Sequence, residues 1–168
     1  MNPLSTFVDI LSIKTKPLLE VQSFKDILPR YVGTHPMAGR EVSGPQSARG
    51  DLFNGRTWIL TSGELASKQS LDRATELIAL CGGVLVELSA QEHDQAMALI
   101  SHTPQLLASV LASQLVGSNP KWLGLIGQGF KDVTRIADSD PSLWKEIISE
   151  NAENILPVLR SFRHTLED

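Results

Sequence analysis

Cysteine, positive charge and long apolar runs are all scarce in this sequence of 168 residues. The single cysteine, Cys81, excludes an internal disulfide and favours a reducing compartment, so we expect the protein to be cytoplasmic. A net charge of −4 offers no basic stripe and argues against binding to nucleic acid. The N-terminus has no cationic segment followed by a long apolar stretch, which argues against a signal peptide. No run approaches the roughly 18 apolar residues needed to cross a bilayer, so we expect no membrane contact.

The composition that is present, 42% hydrophobic and 20% charged, is typical of a globular protein with one domain or two small coupled halves. In the first half, short apolar runs alternate with segments of helical spacing. Strands are predicted at Phe7 to Ile10, Tyr31 to Thr34, Trp58 to Thr61 and Val84 to Leu88, and helices at Lys16 to Leu28 and Ser70 to Leu80. The inward face of the second helix would comprise Leu71, Ala74, Leu77 and Ile78. This alternation predicts a parallel α/β sheet over residues 1–90.

From residue 91 onward the sequence predicts helices alone. The segment from Gln91 to Val116 is apolar over more than one narrow face, which is typical of a helix buried on most sides. In a small protein this indicates a partner chain, so we expect residues 91–168 to form a homodimer. After a break at residues 117–120, a helical hairpin is expected from Trp122 to the end. Its second helix would begin at an Asp140 cap and bury Leu143, Trp144, Ile147 and Ile148.

His35 opens a glycine-rich loop directly after a predicted strand. Loops at strand ends are where α/β sheets place their chemistry, and a neutral imidazole there can take a proton from a substrate hydroxyl. The alternative is a histidine that only caps the end of the strand.

A row of mostly polar side chains follows the otherwise apolar helix at intervals of four residues: His93, Met97, Ser101, Gln105, Ser109 and Ser113. Polar groups in a buried helix need partners, and a bound polar ligand is one option. Small serines at a close helix crossing are the other. The two histidines His93 and His102 are too far apart to read as a metal pair, and we predict no metal site.

Arg135 lies among apolar residues in the last third of the chain. A guanidinium in such a place binds a carboxylate through two hydrogen bonds. That carboxylate belongs either to a ligand or to a neighbour, Asp132 or Asp138.

Four stretches in order resemble the prephenate and arogenate dehydrogenase family, over essentially the whole chain. They are Asp9-x-x-Ser12-x-Lys14; His35-Pro36-x-Ala38-Gly39-x-Glu41-x-Ser43-Gly44; His93-Asp94 with Ser101-His102-x-Pro104; and Gly129-Phe130-x-Asp132-x-Thr134-Arg135-Ile136-Ala137 with Ser139-x-Pro141-x-x-Trp144. The resemblance implies the C-terminal remainder of a Rossmann-like nucleotide-binding domain in residues 1–90. It implies a helical substrate-binding and dimerisation domain in residues 91–168.

The resemblance also implies an activity and a set of roles. Family members oxidise a cyclohexadienyl alcohol with NAD or NADP and release carbon dioxide, in the synthesis of tyrosine. His35 would take the proton of the ring hydroxyl, and Ser12 would orient His35 and that hydroxyl. Arg135 would hold a substrate carboxylate. Ser101 and Gln105 would line the pocket for the substrate side chain.

Two departures from the family pattern qualify that expectation. Many prephenate-specific members carry a second histidine where Gln105 stands, so arogenate is open as the substrate. The family also begins with a Gly-x-Gly-x-x-Gly turn that binds the cofactor pyrophosphate, and this sequence contains no such turn. We therefore expect the chain alone to be inactive. A non-catalytic remnant that dimerises and binds ligand is the second hypothesis, and an unrelated helical interaction module is a weaker third.

Overall fold

The computed structural model describes residues 5–39, 48–61 and 65–168 of the chain. The chain divides into two compact units, Met1–Gln95 and Ala96–Asp168. The first contains a sheet with two covering helices, and the second is helical. The predicted succession of an α/β part and an all-α part is therefore confirmed.

Unit 1 is built on a sheet of four strands, in the order β1 (Phe7–Asp9), β2 (Tyr31–Pro36), β3 (Thr57–Thr61) and β4 (Val84–Leu88). The pairs β1–β2 and β3–β4 are parallel, but β2 and β3 are antiparallel. The prediction of a parallel sheet throughout is therefore wrong. A parallel pair needs a crossover, usually a helix, and the described residues between β2 and β3 contain no helix.

Two helices of unit 1 connect its parallel strands, α1 (Thr15–Val21) between β1 and β2 and α2 (Lys68–Leu80) between β3 and β4. The predicted continuation of α1 to Leu28 is wrong. The Ser23 hydroxyl donates to the carbonyl of Glu20, and such side-chain bonds compete with the helical ladder. A separate 3-10 turn, Leu28–Arg30, then leads into β2.

The core of unit 1 lies where α2 packs on the sheet. Ser70, Ala74 and Ile78 form the buried face of the helix, spaced four residues apart. Leu77, predicted to face inward, is exposed. The buried apolar cluster comprises Val32, Trp58, Leu60, Ala74 and Ile78.

Helix α3 (Ala90–Met97) begins with a reciprocal cap and contains the boundary between the units. The Glu92 backbone N–H donates to Ser89 Oγ (3.1 Å), and the Ser89 N–H donates to Glu92 Oε2 (2.9 Å). A π-helical turn, Ala98–His102, follows, and α4 (Thr103–Ser113) continues from it. Of the predicted row at intervals of four, His93, Met97 and Gln105 are buried on the two sides of this turn, whereas Ser113 is exposed.

The helical stretch Ala90–Ser113 has 24 residues and contains an 18-residue window with a mean hydropathy of 1.2, so by length and composition it could cross a membrane. The expectation that no segment has this property is therefore wrong. Core helices of globular proteins meet the same criterion. This helix carries a buried His93 and Asp94, and both have hydrogen-bond partners.

Unit 2 continues through four further helices: α5 (Pro120–Leu123), α6 (Gln128–Thr134), α7 (Pro141–Glu150) and α8 (Ala152–Glu167). The predicted two-helix hairpin is therefore wrong, since the chain is broken at Gly124 to Gly127 and again by a 3-10 turn, Arg135–Asp138. The predicted cap is confirmed, because Asp140 Oδ1 accepts from the Ser142 N–H (2.8 Å). On α7 only Ile147 is fully buried, and Leu143 is exposed.

Candidate active site

His35 lies inside β2, rather than beyond its end as predicted, because the strand continues to Pro36. The registers of the sheet pair Asp9 with Gly33 and His35 with Ile59. His35 is half-buried near the carboxyl end of β2, and Ser12 follows the carboxyl end of the parallel neighbour β1. Both residues therefore belong to the edge of the sheet where α/β folds bind ligands.

The imidazole of His35 is the first member of a chain of hydrogen bonds into the interior of unit 1. His35 Nδ1 lies 2.8 Å from His93 Nε2. His93 is 0% exposed, and its Nδ1 lies 2.8 Å from Asp94 Oδ1. A half-buried histidine is therefore connected through a fully buried one to a carboxylate.

Asp94 is also bound to the start of α1. Its Oδ1 accepts from the Lys14 backbone N–H and its Oδ2 from the Thr15 N–H, each at 2.8 Å. Burial by itself raises the pKa of Asp94, but the hydrogen bonds from His93, Thr15 and Lys14 outweigh it and hold the pKa below its usual value. Asp94 is therefore ionised at neutral pH, although it is only 3% exposed.

The turn from Asp9 to Lys14 has a buried ion pair of its own. The Lys14 ammonium and the Tyr31 hydroxyl both donate to the Asp9 carboxylate, which also accepts from the Leu11 N–H at 2.9 Å. Burial lowers the pKa of Lys14, although Asp9 and Asp94 act in the opposite direction. Burial and the bond to Asp9 raise the pKa of Tyr31. These contacts hold the turn that carries the half-buried Ser12.

Gly33 allows this turn to approach the sheet closely. A Cβ atom at Gly33 would lie 2.5 Å from Thr61 Oγ1, and 3.3 Å from both Asp9 Oδ2 and Lys14 Cδ. The Thr61 hydroxyl donates to the Gly33 carbonyl across the β2–β3 pair (3.1 Å). The position therefore has space for hydrogen alone.

Three predicted residues lie in unit 2. Ser101 is half-buried within the π turn, and Gln105 on α4 is 3% exposed. The Gln105 Nε2 donates to the Ile136 carbonyl (2.8 Å), which connects α4 to the 3-10 turn that Arg135 begins. Arg135 itself is exposed. One suggested internal partner, Asp132, accepts a hydrogen bond from Gln128 Nε2 (2.7 Å).

A second buried histidine, His102, lies in unit 2, and the sequence analysis assigned it no role. Asn151 Nδ2 donates to His102 Nδ1 (3.0 Å), and the Asn154 amide donates to Asn151 Oδ1 (2.7 Å). This network joins the π turn to the junction of α7 and α8. Its signal in the sequence is a histidine and an asparagine within apolar helices.

Other predicted motif positions, Glu41, Ser43 and Gly44, lie outside the described residues. Within the described ranges, no group of three or more His, Cys, Asp or Glu side chains is arranged to hold a metal ion. The roles of His93, Asp94, Asp9 and Lys14 were missed, although the sequence showed their motifs. His35 and His93 are 58 positions apart in the sequence, so no local pattern indicates their contact.

The fold defines a class of protein in which an α/β part is followed by a helical part. Residues 2–87 match the family model "Prephenate dehydrogenase, nucleotide-binding domain", and residues 89–168 match "Prephenate dehydrogenase, dimerization domain". The chain belongs to the prephenate dehydrogenase family.

Individual relatives agree with this assignment. The chain is 33% identical over 161 residues to a probable prephenate dehydrogenase, NovF, of Streptomyces niveus, covering 95% of this chain and 44% of that protein. It is 37% identical over 130 residues to the prephenate dehydrogenase of Bacillus subtilis, covering 76% of this chain and 35% of that protein.

A solved structure, prephenate dehydrogenase of Aquifex aeolicus in complex with hydroxyphenyl propionate and NAD+, superposes with a TM-score of 0.91 at 33% identity. The superposition covers 99% of this chain and 59% of the Aquifex chain. The chain thus spans between 35% and 59% of the length of these three proteins.

Proposed function

We propose that this chain carries the substrate half of a prephenate dehydrogenase. The reaction is the oxidative decarboxylation of prephenate to 4-hydroxyphenylpyruvate in tyrosine biosynthesis. The observation that carries the proposal is the series of hydrogen bonds from His35 through His93 to Asp94, in a member of this family. In the proposed domain arrangement, residues 1–90 are the end of the nucleotide-binding domain. Residues 91–168 bind substrate and form a homodimer. The protein would be soluble and cytoplasmic, without nucleic-acid or membrane partners.

NAD is the cofactor that the family and the Aquifex complex favour, with NADP as the alternative. The residues present fit the hydride-accepting end of such a cofactor, because Ser12 and His35 lie near the carboxyl ends of the parallel strands β1 and β2. When bound, the nicotinamide supplies the hydride acceptor. The turn that contains Ser12 is the part of this chain that would border it.

Each proposed residue then has one task. His35 takes the proton of the ring hydroxyl, and because its Nδ1 faces His93, the basic atom would be Nε2. Ser12 orients His35 and that hydroxyl. Arg135 holds a substrate carboxylate, while Ser101 and Gln105 line the side-chain pocket. Aromatisation of the ring drives the loss of carbon dioxide.

Arogenate is the second candidate substrate, and one contact favours it. The Gln105 amide nitrogen donates one of its two hydrogens to the Ile136 carbonyl, and the oxygen Oε1 is the acceptor that the side chain offers to a ligand. That oxygen can accept from the ammonium group of arogenate, whereas the keto group of prephenate has no hydrogen to donate to it. Gln105→His should move the preference toward prephenate, measured as the ratio of kcat/KM for the two substrates. An unchanged ratio would place Gln105 outside the side-chain pocket.

The test of function is an assay with both substrates and both cofactors. It should be run on the chain and on any longer polypeptide that contains it. His35→Ala should mainly lower kcat, by about 10²- to 10⁴-fold, because His35 acts on a proton that moves in the transition state. Arg135→Ala should mainly raise KM, by about 10- to 150-fold, because the carboxylate is charged before and during the reaction.

Arg135→Lys is the matched variant for the second role. Lysine keeps the charge but loses the two-pronged contact, so it should restore KM only in part. The opposite pattern, in which Arg135→Ala leaves KM unchanged and His35→Ala raises it, would overturn the assigned roles. Absence of any activity in a folded, complete polypeptide would favour the non-catalytic remnant.

A further inference from the structure

We propose that His93 and Asp94 are positioning residues that hold His35 in a single tautomer, with the proton on Nδ1 and the lone pair on Nε2. The inference rests on the proposed function in one respect, that His35 is the base. It assigns a task to a buried pair that no substrate reaches, since His93 is 0% exposed and Asp94 3%.

The carboxylate of Asp94 is ionised and can only accept hydrogen bonds. It accepts from the backbone N–H groups of Lys14 and Thr15, both at 2.8 Å. The atom 2.8 Å from its Oδ1 is His93 Nδ1, which must therefore be the donor. The direction of this hydrogen bond follows from the charge of Asp94.

A neutral histidine has one donor and one acceptor nitrogen. With the proton on Nδ1, the Nε2 of His93 carries a lone pair. That lone pair lies 2.8 Å from His35 Nδ1, so His35 must donate. The proton of a neutral His35 is then on Nδ1, and its Nε2 is left as the basic atom. The start of α1 thus determines, through two imidazoles, which nitrogen of His35 receives a proton.

The same series of hydrogen bonds stabilises His35 as the reaction proceeds. When a hydroxyl proton arrives at Nε2, positive charge forms on the His35 ring. The bond from its Nδ1 to His93 then becomes charge-assisted and shorter, as such bonds are. The buried negative charge of Asp94 lies beyond His93 and favours the charged ring. His93 and Asp94 contact no reacting atom, so their effect operates through His35.

The tautomer can be measured directly by long-range ¹H–¹⁵N correlation spectroscopy on the ¹⁵N-labelled 168-residue chain. The sequence has four histidines, and their NMR signals can be assigned by substituting them one at a time. At about pH 8, above the ordinary histidine pKa of about 6.5, His35 should show a protonated Nδ1 and an unprotonated Nε2. A His35 protonated on Nε2 in the unmutated chain would overturn the inference. It would mean that the bond runs from His93 to His35.

Two variants of His93 sharpen the measurement. His93→Leu removes the acceptor, so His35 should show the Nε2–H form that free histidine prefers. His93→Gln provides a carbonyl oxygen, which can accept from His35 Nδ1 and should keep the Nδ1–H form. His164→Gln is the matched control at an exposed histidine and should leave the His35 signals unchanged. Equal His35 spectra in the leucine and glutamine variants would contradict the inference.

Kinetics separate this inference from the proposed function. In an active polypeptide, kcat should fall with His93→Leu by the same factor by which the Nδ1–H form is depleted, while KM stays unchanged. If the tautomer changes and kcat does not, His35 is not the base and the proposed function fails, although the positioning stands. If the unmutated chain has the other tautomer, the positioning fails whatever the activity.

Discussion

The two units differ in what they bury. Unit 1 encloses charged and polar side chains and gives them partners from its own residues. Lys14 pairs with Asp9, Thr61 bonds the Gly33 carbonyl, and Asp94 accepts from α1 and from His93. Both units leave large apolar side chains exposed, but unit 2, which the structure describes throughout, has no buried Asp, Glu, Lys or Arg side chain, and its exposed apolar residues include the neighbours Leu99 at 59% and Ile100 at 61% exposure. Unit 1 therefore balances the buried charges named here from its own residues, whereas unit 2 has an apolar surface that a second chain would cover.

The largest effect is expected from Asp94→Asn, which tests whether unit 1 depends on its buried charge. Removing one member of a buried charged network leaves the others unpaired and costs about 3–5 kcal/mol. The asparagine oxygen can still accept from the backbone N–H groups at the start of α1. The amide has one acceptor oxygen instead of two, so it cannot serve both those groups and His93 Nδ1 as the carboxylate does. Chemical denaturation should show a lower midpoint. Asp72→Asn, at an exposed ion pair with Lys68, is the matched control and should shift the free energy of unfolding by less than about 1 kcal/mol.

Ile78→Ala is expected to have the next largest effect, because it opens a cavity between α2 and the sheet. Ile78 is 1% exposed within the core cluster of unit 1, and such truncations cost about 2–5 kcal/mol. Leu80→Ala, two residues further along the same helix at 79% exposure, should change stability by less than about 0.5 kcal/mol. Equal losses in the two variants would mean that the exposed side of α2 is covered by another chain.

For unit 2, a charge on its exposed apolar surface should weaken self-association. Burying a leucine contributes about 1.5–3 kcal/mol, so Leu99→Lys should raise the dimer dissociation constant by at least about 10- to 150-fold. Sedimentation of the unmutated chain should show a dimer at micromolar concentration. Leu19→Lys, at a comparably exposed leucine of unit 1, is the control. A stable, soluble monomer without any substitution would contradict the proposed homodimer.

The smallest expected effect is a loss of stability at low pH. The pKa of Asp94 is lower in the folded state than its ordinary value of 3.8, so the unfolded chain binds a proton more readily. The stability that Asp94 contributes is therefore present above pH 3.8 and is lost as pH falls through the folded-state pKa. One proton changes the free energy of unfolding by at most about 1.4 kcal/mol per pH unit. Asp94→Asn should flatten this dependence below pH 3.8, and Asp72→Asn should leave it as it was.

The sequence predicted the parts of the fold that depend on local spacing. The strands β3 and β4, helix α2 and the Asp140 cap follow from short apolar runs, helical periodicity and capping chemistry. The antiparallel β2–β3 pair was missed, because strand direction depends on how a connection returns to the sheet. The π turn at Ala98–His102 was also missed, since one extra residue in a turn leaves no mark on composition.

For the candidate site, the sequence analysis assigned a role to His35 but none to His93 and Asp94, which are bound behind it. His93 and Asp94 looked like polar interruptions of an apolar helix. Only the fold brings that helix against β2 and the start of α1. Long-range contacts between side chains depend on tertiary packing, which motif spacing along the chain does not encode.

Gly33 is a position at which the protein should tolerate no substitution. The volume beside its Cα is filled by the Thr61 hydroxyl, with Asp9 and Lys14 just behind, so even alanine would collide. Every missense change at this codon is therefore expected to damage the protein, and for a reason of space rather than of backbone conformation. A survey of tolerated substitutions across the gene should show a gap at this position, beside more permissive neighbours. Thr61→Ser keeps the hydroxyl, whereas Thr61→Ala removes the obstructing oxygen. A Gly33→Ala defect should therefore be relieved by the second change and not by the first.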